Sequence, residues 1–325
     1  GPPLRTVRPG GDPEDLTAMR AALFLVALAA LALAPIAAPW LQFVLTLAIA
    51  KGFAALGVAV LLRGGLISIG HAMFYAVSAY AIAFLARAGL NEFVVLLLLG
   101  TLASALAGLL VGAFLVRYRA IFFAMLNLAM SMVLYALLSK LYGITGGTDG
   151  LRLAVPRFFG LALDKASFDT ALYYAGLVLM VGVGYGVQRY LASPLGHALA
   201  AVHTNELRLE YLGVPVRVVL LIAYTISAAL AGIGGAIAAM AIGHILPEFA
   251  FWTASGHLVL VAVLGGIGGV AGPFIGSLFL EVLHTLAVGV TDAWNLIIGV
   301  ALIGVIFFLP SGLYGLLRRR SGEPA

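Results

Sequence analysis

"HLVLVAVLGGIGGVAGPFIGSLFLEVLHTLAVGV", residues 257–290, is apolar almost throughout and too long for one membrane crossing. A crossing helix needs about 20 residues. A single crossing here would also put the arginines at 318–320 on the opposite side from the other basic loops. Two crossings restore the parity. The break falls at "GGIGGVAGP", where Gly265, Gly266 and Gly272 lower helix propensity and Pro273 removes a backbone donor.

The rest of the chain agrees with a bilayer solvent. Hydrophobic residues make up 63% of the 325, charged residues 10%, and mean hydropathy is +1.13. A soluble chain is roughly 45–50% apolar and about 25% charged. Forty glycines suit closely packed membrane helices. Gly108/Gly112 and Gly182/Gly186 form GxxxG pairs and read as close-packing faces. The absence of cysteine excludes disulfides and thiolate metal sites. The six histidines show no metal-ligand spacing such as H-x-x-x-H, so no metal site is expected.

Crossings are expected at about 20–38, 40–62, 65–86, 92–116, 120–142, 170–191, 217–241, 257–271, 273–290 and 294–310, an all-α polytopic bundle. With the N-terminus inside, twelve arginines (5, 8, 20, 63, 117, 119, 189, 208, 217, 318, 319 and 320) fall on the cytosolic side. Arg87, Arg152, Arg157 and Lys165 fall outside. This is the sense of the positive-inside rule, so the net charge of +5 is a topology signal and not a nucleic-acid footprint. Residues 1–19 read as a cytosolic arm with no cleavable signal peptide before the first span. Residues 20–317 read as the membrane domain, 143–169 as a periplasmic loop forming a short cap, and 318–325 as a cytosolic tail.

A second break is expected at "LLRGGLISIGHAMF", through Gly64, Gly65 and Gly70. With the first it makes a weak parallel repeat, and paired broken helices point to a translocation path. Ionisable side chains inside spans are costly and default to function. Lys51 and Glu281 are such groups, expected to approach one another or to face an aqueous path separately. Ser68 and His71, at the first break, are positioned to bond solute or the freed carbonyls. Asn127, Ser131, Tyr224, Thr225 and Ser227 are further path candidates, with interhelical packing as their structural alternative.

One polar stretch interrupts all this: "SPLGHALAAVHTNELRLEYLGVPVRVVL", residues 193–220, cytosolic by charge. Ser193 is a cap, Pro194 suits the first turn, and Gly213 with Pro215 ends the helix. Ala198, Leu199, Val202, Leu209 and Leu212 form its apolar stripe. A short amphipathic helix of this kind lies on the membrane or docks into a partner, and the mixed-sign, lysine-free face favours the partner.

Here the sequence resembles a known family. Residues 193–237 look like the ATPase-coupling signature of permeases of the branched-chain amino-acid type of bacterial ABC importer. "GGLISIGHAMFYAVSAY", "ITGGTDGL", "GGIGGVAGPFIGSLFLEVL" and "FFLPSGLYGLL" resemble four more landmarks in family order. The match covers about residues 40–317 and favours the LivM-like over the LivH-like member. The resemblance implies a non-enzymatic inner-membrane subunit importing a branched-chain or other amino acid, an amide, urea or an aromatic acid. Its implied partners are membrane lipid, two cytosolic ATPases carrying ATP and Mg, a LivH-like second permease completing the pore, and a periplasmic binding protein. It implies ATPase contact by the cytosolic segment 193–216, through Gly196, His197, Ala201, His203, Asn205, Glu206, Arg208, Glu210 and Gly213. The family usually has arginine where this chain has His197 and His203.

No cofactor is expected on the chain itself. None of Lys51, Lys140 and Lys165 precedes Ser or Thr, so the phosphate-cradling G-x-x-x-x-G-K-[ST] loop is missing. The alternative function is an ion-coupled secondary transporter working without ATPases, motivated by Lys51, Glu281 and the breaks. An intramembrane enzyme finds no H-E-x-x-H motif and no cysteine nucleophile.

Overall fold

The computed structural model describes residues 26–35, 38–290, 293–308 and 312–319. The expected arm 1–19, the start of the first crossing and the tail beyond residue 319 lie outside the described residues. The helices are α1 (Val26–Pro35), α2 (Pro39–Arg63), α3 (Ala72–Arg87), α4 (Phe93–Leu115), α5 (Ala120–Lys140), α6 (Tyr142–Thr145) and α7 (Lys165–Leu191). They continue with α8 (Pro194–Tyr211), α9 (Val216–Ile242), α10 (Trp252–Gly265), α11 (Ala271–Val288), α12 (Trp294–Phe308) and α13 (Gly312–Arg319). Among the described residues the only sheet is a ribbon, β1 (Leu151–Arg152) antiparallel to β2 (His244–Ile245), with Leu151 opposite Ile245.

Among the described residues six helices, α2, α4, α5, α7, α9 and α11, are long and apolar enough to cross a membrane. α1, α3, α10 and the middle of α12 are shorter apolar helices. The chain is therefore the polytopic helical bundle that its composition implies.

α2 and α9 form the axis. They run antiparallel, since Gly234 lies against Ala50 and Ser227 against Gly57. A Cβ on Gly234 would strike the Ala50 carbonyl, and one on Gly235 the Tyr75 carbonyl of α3. Three backbones thus meet without side chains between them, which lipid-solvated helices use in place of a hydrophobic driving force. α4 seats on α9 through Gly108 against Ala228 and Gly112 against Tyr224. The other GxxxG pair does not pack: Gly182 and Gly186 of α7 face open space. Spacing alone cannot say which small-residue stripe finds a neighbour.

The bundle has two ends. One carries α8 and the α4–α5 turn; the other carries the ribbon. The first break is longer than expected, and α3 starts at Ala72, not near residue 65. Gly65 sits at φ +74°, and the Leu66 amide bonds the Leu61 carbonyl, so α2 closes in a left-handed glycine turn. Residues 66–71 then climb back into the bundle until His71 reaches Ser227 and Gly57. Gly57 lies about 9 Å of helix rise before the end of α2.

The second half re-enters from the opposite end, at a place read from sequence only as an outer loop. After Gly243 the ribbon and the turn Pro247–Ala250 fold inward, and the Ala250 carbonyl accepts from Ser131 (2.7 Å) midway along α5. α10 therefore starts inside the bundle, at Trp252 and not at 257, and ends at Gly265 instead of 271. α7 likewise begins at Lys165, five residues before the expected crossing. The expected break at Gly265–Pro273 is a tight turn joining α10 to α11. There Gly265 meets the Gly272 carbonyl, and Arg63 Nε donates to the Ile267 carbonyl (3.0 Å).

Gly235→Ala should lower the unfolding temperature of the detergent-purified protein by several degrees, because overpacking costs about 1–3 kcal/mol. Gly182→Ala, with open space around it and a better helix former in place, should leave the temperature unchanged or raise it slightly in the same thermal-shift assay.

Candidate functional site

Two half-helices begin at mid-depth and face each other: the Ala72 amide of α3 donates to Ser255 Oγ of α10 (2.9 Å). Backbone leaving a helix at this depth must be satisfied by protein. His71 ties the break to the middle of α9. Its Nδ1 lies 3.2 Å from Ser68 Oγ, and its Nε2 lies 3.1 Å from the Ser227 carbonyl and 3.0 Å from Ser227 Oγ. Ser227 Oγ in turn donates to the Gly57 carbonyl (2.6 Å). Gly70 touches the Asn127 backbone, and Asn127 Oδ1 accepts from Tyr224 (3.2 Å). Thr225 bonds its own helix at Leu221.

Ser68, His71, Asn127, Ser131 and Ser227 are all fully buried. The structure gathers them into the packing around the two breaks. None lines an open channel within this chain. Asn127 Nδ2 is left without a partner there. Ser104 belongs to the same mid-depth bonding and was missed from sequence; its hydroxyl bonds the carbonyls of Phe74 and Ala228. Nothing in the sequence distinguishes it or Ser255 from other serines in spans.

Lys51 and Glu281, 230 residues apart, meet. Nζ lies 2.5 Å from Oε1, with the lysine side chain 40% exposed and the carboxylate 9%. Ser277, one turn before Glu281, fixes the register by donating to the Ala48 carbonyl (2.6 Å). His257 of α10 lies within electrostatic range of the pair and of His284 on α11, and Tyr75 within range of Glu281. These three were not singled out from sequence, since their proximity depends on how α3, α10 and α11 pack.

At the α8 end the polar segment is built in two parts. Ser193 Oγ accepts from the Gly196 amide (3.4 Å) and donates to the Tyr190 carbonyl (2.6 Å). Gly196 is buried against the last carbonyls of α7, where a Cβ would collide, so glycine lets α8 turn off α7 at once. Leu199 packs on Gly64 and His203 on Gly65, which makes the glycine pair at the first break a seat for α8. His197 bonds the Ser193 carbonyl.

The expected single helix is kinked. Asn205 leaves helical geometry (φ −160°, ψ 95°), and its Oδ1 caps a second short helix at the Arg208 amide (3.0 Å). The apolar stripe is cut there as well: Leu199 and Val202 are buried, whereas Leu212 is exposed. Glu206 forms a forked pair with Arg119 of the α4–α5 turn, at 2.9 Å to Nε and 2.7 Å to Nη2. Arg119 looked in sequence like a topology charge only. Gly213 (φ +79°) ends the segment, with the Val214 amide on the Leu209 carbonyl. Ala201 is partly buried, while Arg208, Glu210 and Gly213 face outward. Among the described residues, no three His, Asp or Glu side chains gather as a metal site.

The described residues thus form a multi-pass helical bundle of the membrane-protein class, with re-entrant half-helices and a capped polar segment between spans. The chain belongs to the family described as branched-chain amino acid transport system / permease component, whose model matches residues 40–309. It is 30% identical over 277 residues to the high-affinity branched-chain amino acid transport system permease protein LivM of Escherichia coli, covering 78% of this chain and 65% of that one. The LivM protein of Salmonella typhimurium matches equally, at 30% over 276 residues, 78% and 65%. The chain thus spans somewhat under two thirds of the length of these relatives. No solved structure matches it.

Lys51→Met leaves a buried carboxylate unpaired and should destabilise the purified protein by ~1–3 kcal/mol, between the values for exposed and buried pairs. The double variant Lys51→Met/Glu281→Leu should recover most of that loss in thermal unfolding. A double variant that adds the two losses would show that the pair is not coupled.

Proposed function

We propose that this chain is the transmembrane permease subunit of an ATP-driven ABC importer of a bacterial inner membrane, with α8 and both termini cytosolic. The distribution of arginines supports that orientation. Two cytosolic ATPase subunits would hold ATP and Mg, a LivH-like permease would complete a heterodimeric pore, and a periplasmic protein would deliver solute. The cargo is a small polar solute. The names of the two relatives favour a branched-chain amino acid.

The observation that carries this reading is the two-faced build of α8. One face is anchored through Gly196, Leu199, His203 and Glu206. The other exposes Leu207 at 66%, Leu212 at 74% and Tyr211 at 90%. Large apolar side chains on a segment so firmly held mark a surface for a partner. A helix end set in another protein's groove is a common way to fill that role. A second reading, an ion-coupled transporter, draws on the mid-span Lys51–Glu281 pair. It requires the purified chain alone to accumulate solute under an ion gradient.

Tyr211→Asp/Leu212→Asp changes only exposed positions, so thermal unfolding should be unaffected. Co-purification of the ATPase subunits from native membranes should fall at least tenfold, with uptake lost in parallel. Retention of both the ATPases and uptake in this variant would end the importer reading.

A further inference from the structure

α2 is buried on almost every side, yet one stripe of its ribbon half is open. Phe43 is exposed, Leu47 and Lys51 are half-buried, and every residue from Gly52 to Leu61 is buried. The spacing of four places all three on one face. The exposed stripe therefore begins at the ribbon end and stops at Lys51. Phe43, at its start, also lines a cavity of about 360 Å³ with Gln42, Thr46, Asp169 and Thr170.

The inner end of this stripe is chemically unusual. The lysine ammonium is reachable, while the carboxylate it contacts sits behind it. His284 stands one turn further along α11 and His257 beside the pair on α10. Lipid would be a poor covering for such a face, because an ionic group at mid-span is paired or watered.

We infer that Lys51 and Glu281 form an intramembrane subsite for zwitterionic α-amino acids, the solute carboxylate taking Lys51 and its ammonium taking Glu281. The inference rests on the importer reading above and deepens it. A zwitterion replaces one ion contact by two and leaves the charge of the site unchanged. An amide or urea brings no charge to compete with the existing pair, and a simple carboxylate strips Lys51 from Glu281 and leaves a buried charge uncompensated. Among the small polar solutes considered for this chain, the pair selects amino acids.

The test uses the chain's lack of cysteine. Leu47→Cys places a unique thiol of this chain one turn above Lys51, in the complex purified with its native partners and reconstituted in lipid nanodiscs. Labelling by a charged, membrane-impermeant maleimide is followed on this chain alone, with L-leucine, 4-methylpentanoate or 3-methylbutylamine at equal millimolar concentration. The expected result is labelling slowed at least fivefold by L-leucine and by neither analogue. That protection should disappear when Glu281→Gln is added.

Labelling that proceeds at one rate under all three solutes, or is slowed equally by them, overturns the zwitterion subsite and leaves the aqueous path standing. So does protection that survives Glu281→Gln. A thiol that no reagent reaches overturns the path as well as the subsite. The first comparison keeps both charges in place, so it decides the matter even if Glu281→Gln fails to assemble.

Discussion

Backbone that leaves a helix at mid-depth in a bilayer has no water to turn to, and this requirement organises the whole bundle. Both half-helices meet it with side chains from distant parts of the chain. Ser255 takes the first amide of α3, Ser131 the carbonyl before α10, and His71 and Ser227 close the gap beside Gly57. Each bond lets two short helices stop inside the protein instead of crossing it. The glycines of α9 follow from the same need, because α2 and α3 must come close enough to share these few polar groups.

The shape of the chain was largely legible from its residues. Apolar length marked the six helices long enough to cross a membrane and the shorter ones between them, and Gly265–Pro273 marked a real turn. Lys51 and Glu281 invited pairing because each alone is too costly within a span. The caps of α8 were also readable, since Ser193 and Gly213 act through local geometry. What escaped was set by contacts across long separations. The inward fold of 243–251 depends on Ser131, more than a hundred residues earlier. The kink at Asn205 interrupts a run whose spacing reads as one helix, and Glu206 just beyond it pairs with Arg119, 87 residues earlier.

The candidate positions divide into two regions with different chemistry. Ser68, His71, Asn127, Ser131 and Ser227 are spent on holding the breaks together and are sealed from solvent. Lys51 and Glu281 lie apart from them, at the end of an exposed stripe on α2, with the lysine side chain 40% exposed. Membership of the permease family gives both regions a setting. The sealed set shapes the bundle, and the partly exposed pair is the ionisable contact between α2 and α11.

The elbow at Asn205 makes α8 two rods with separate attachments. The first rests through Leu199 and His203 on the end of α2; the second is hooked through Glu206 to the turn ahead of α5. A push near Leu195 and a tug at Tyr211 therefore travel along different beams. The former reaches the helix that bears Lys51, and the latter reaches the one whose Ser131 holds the mouth of α10. A body seated across both rods would therefore touch two separately anchored parts of this bundle.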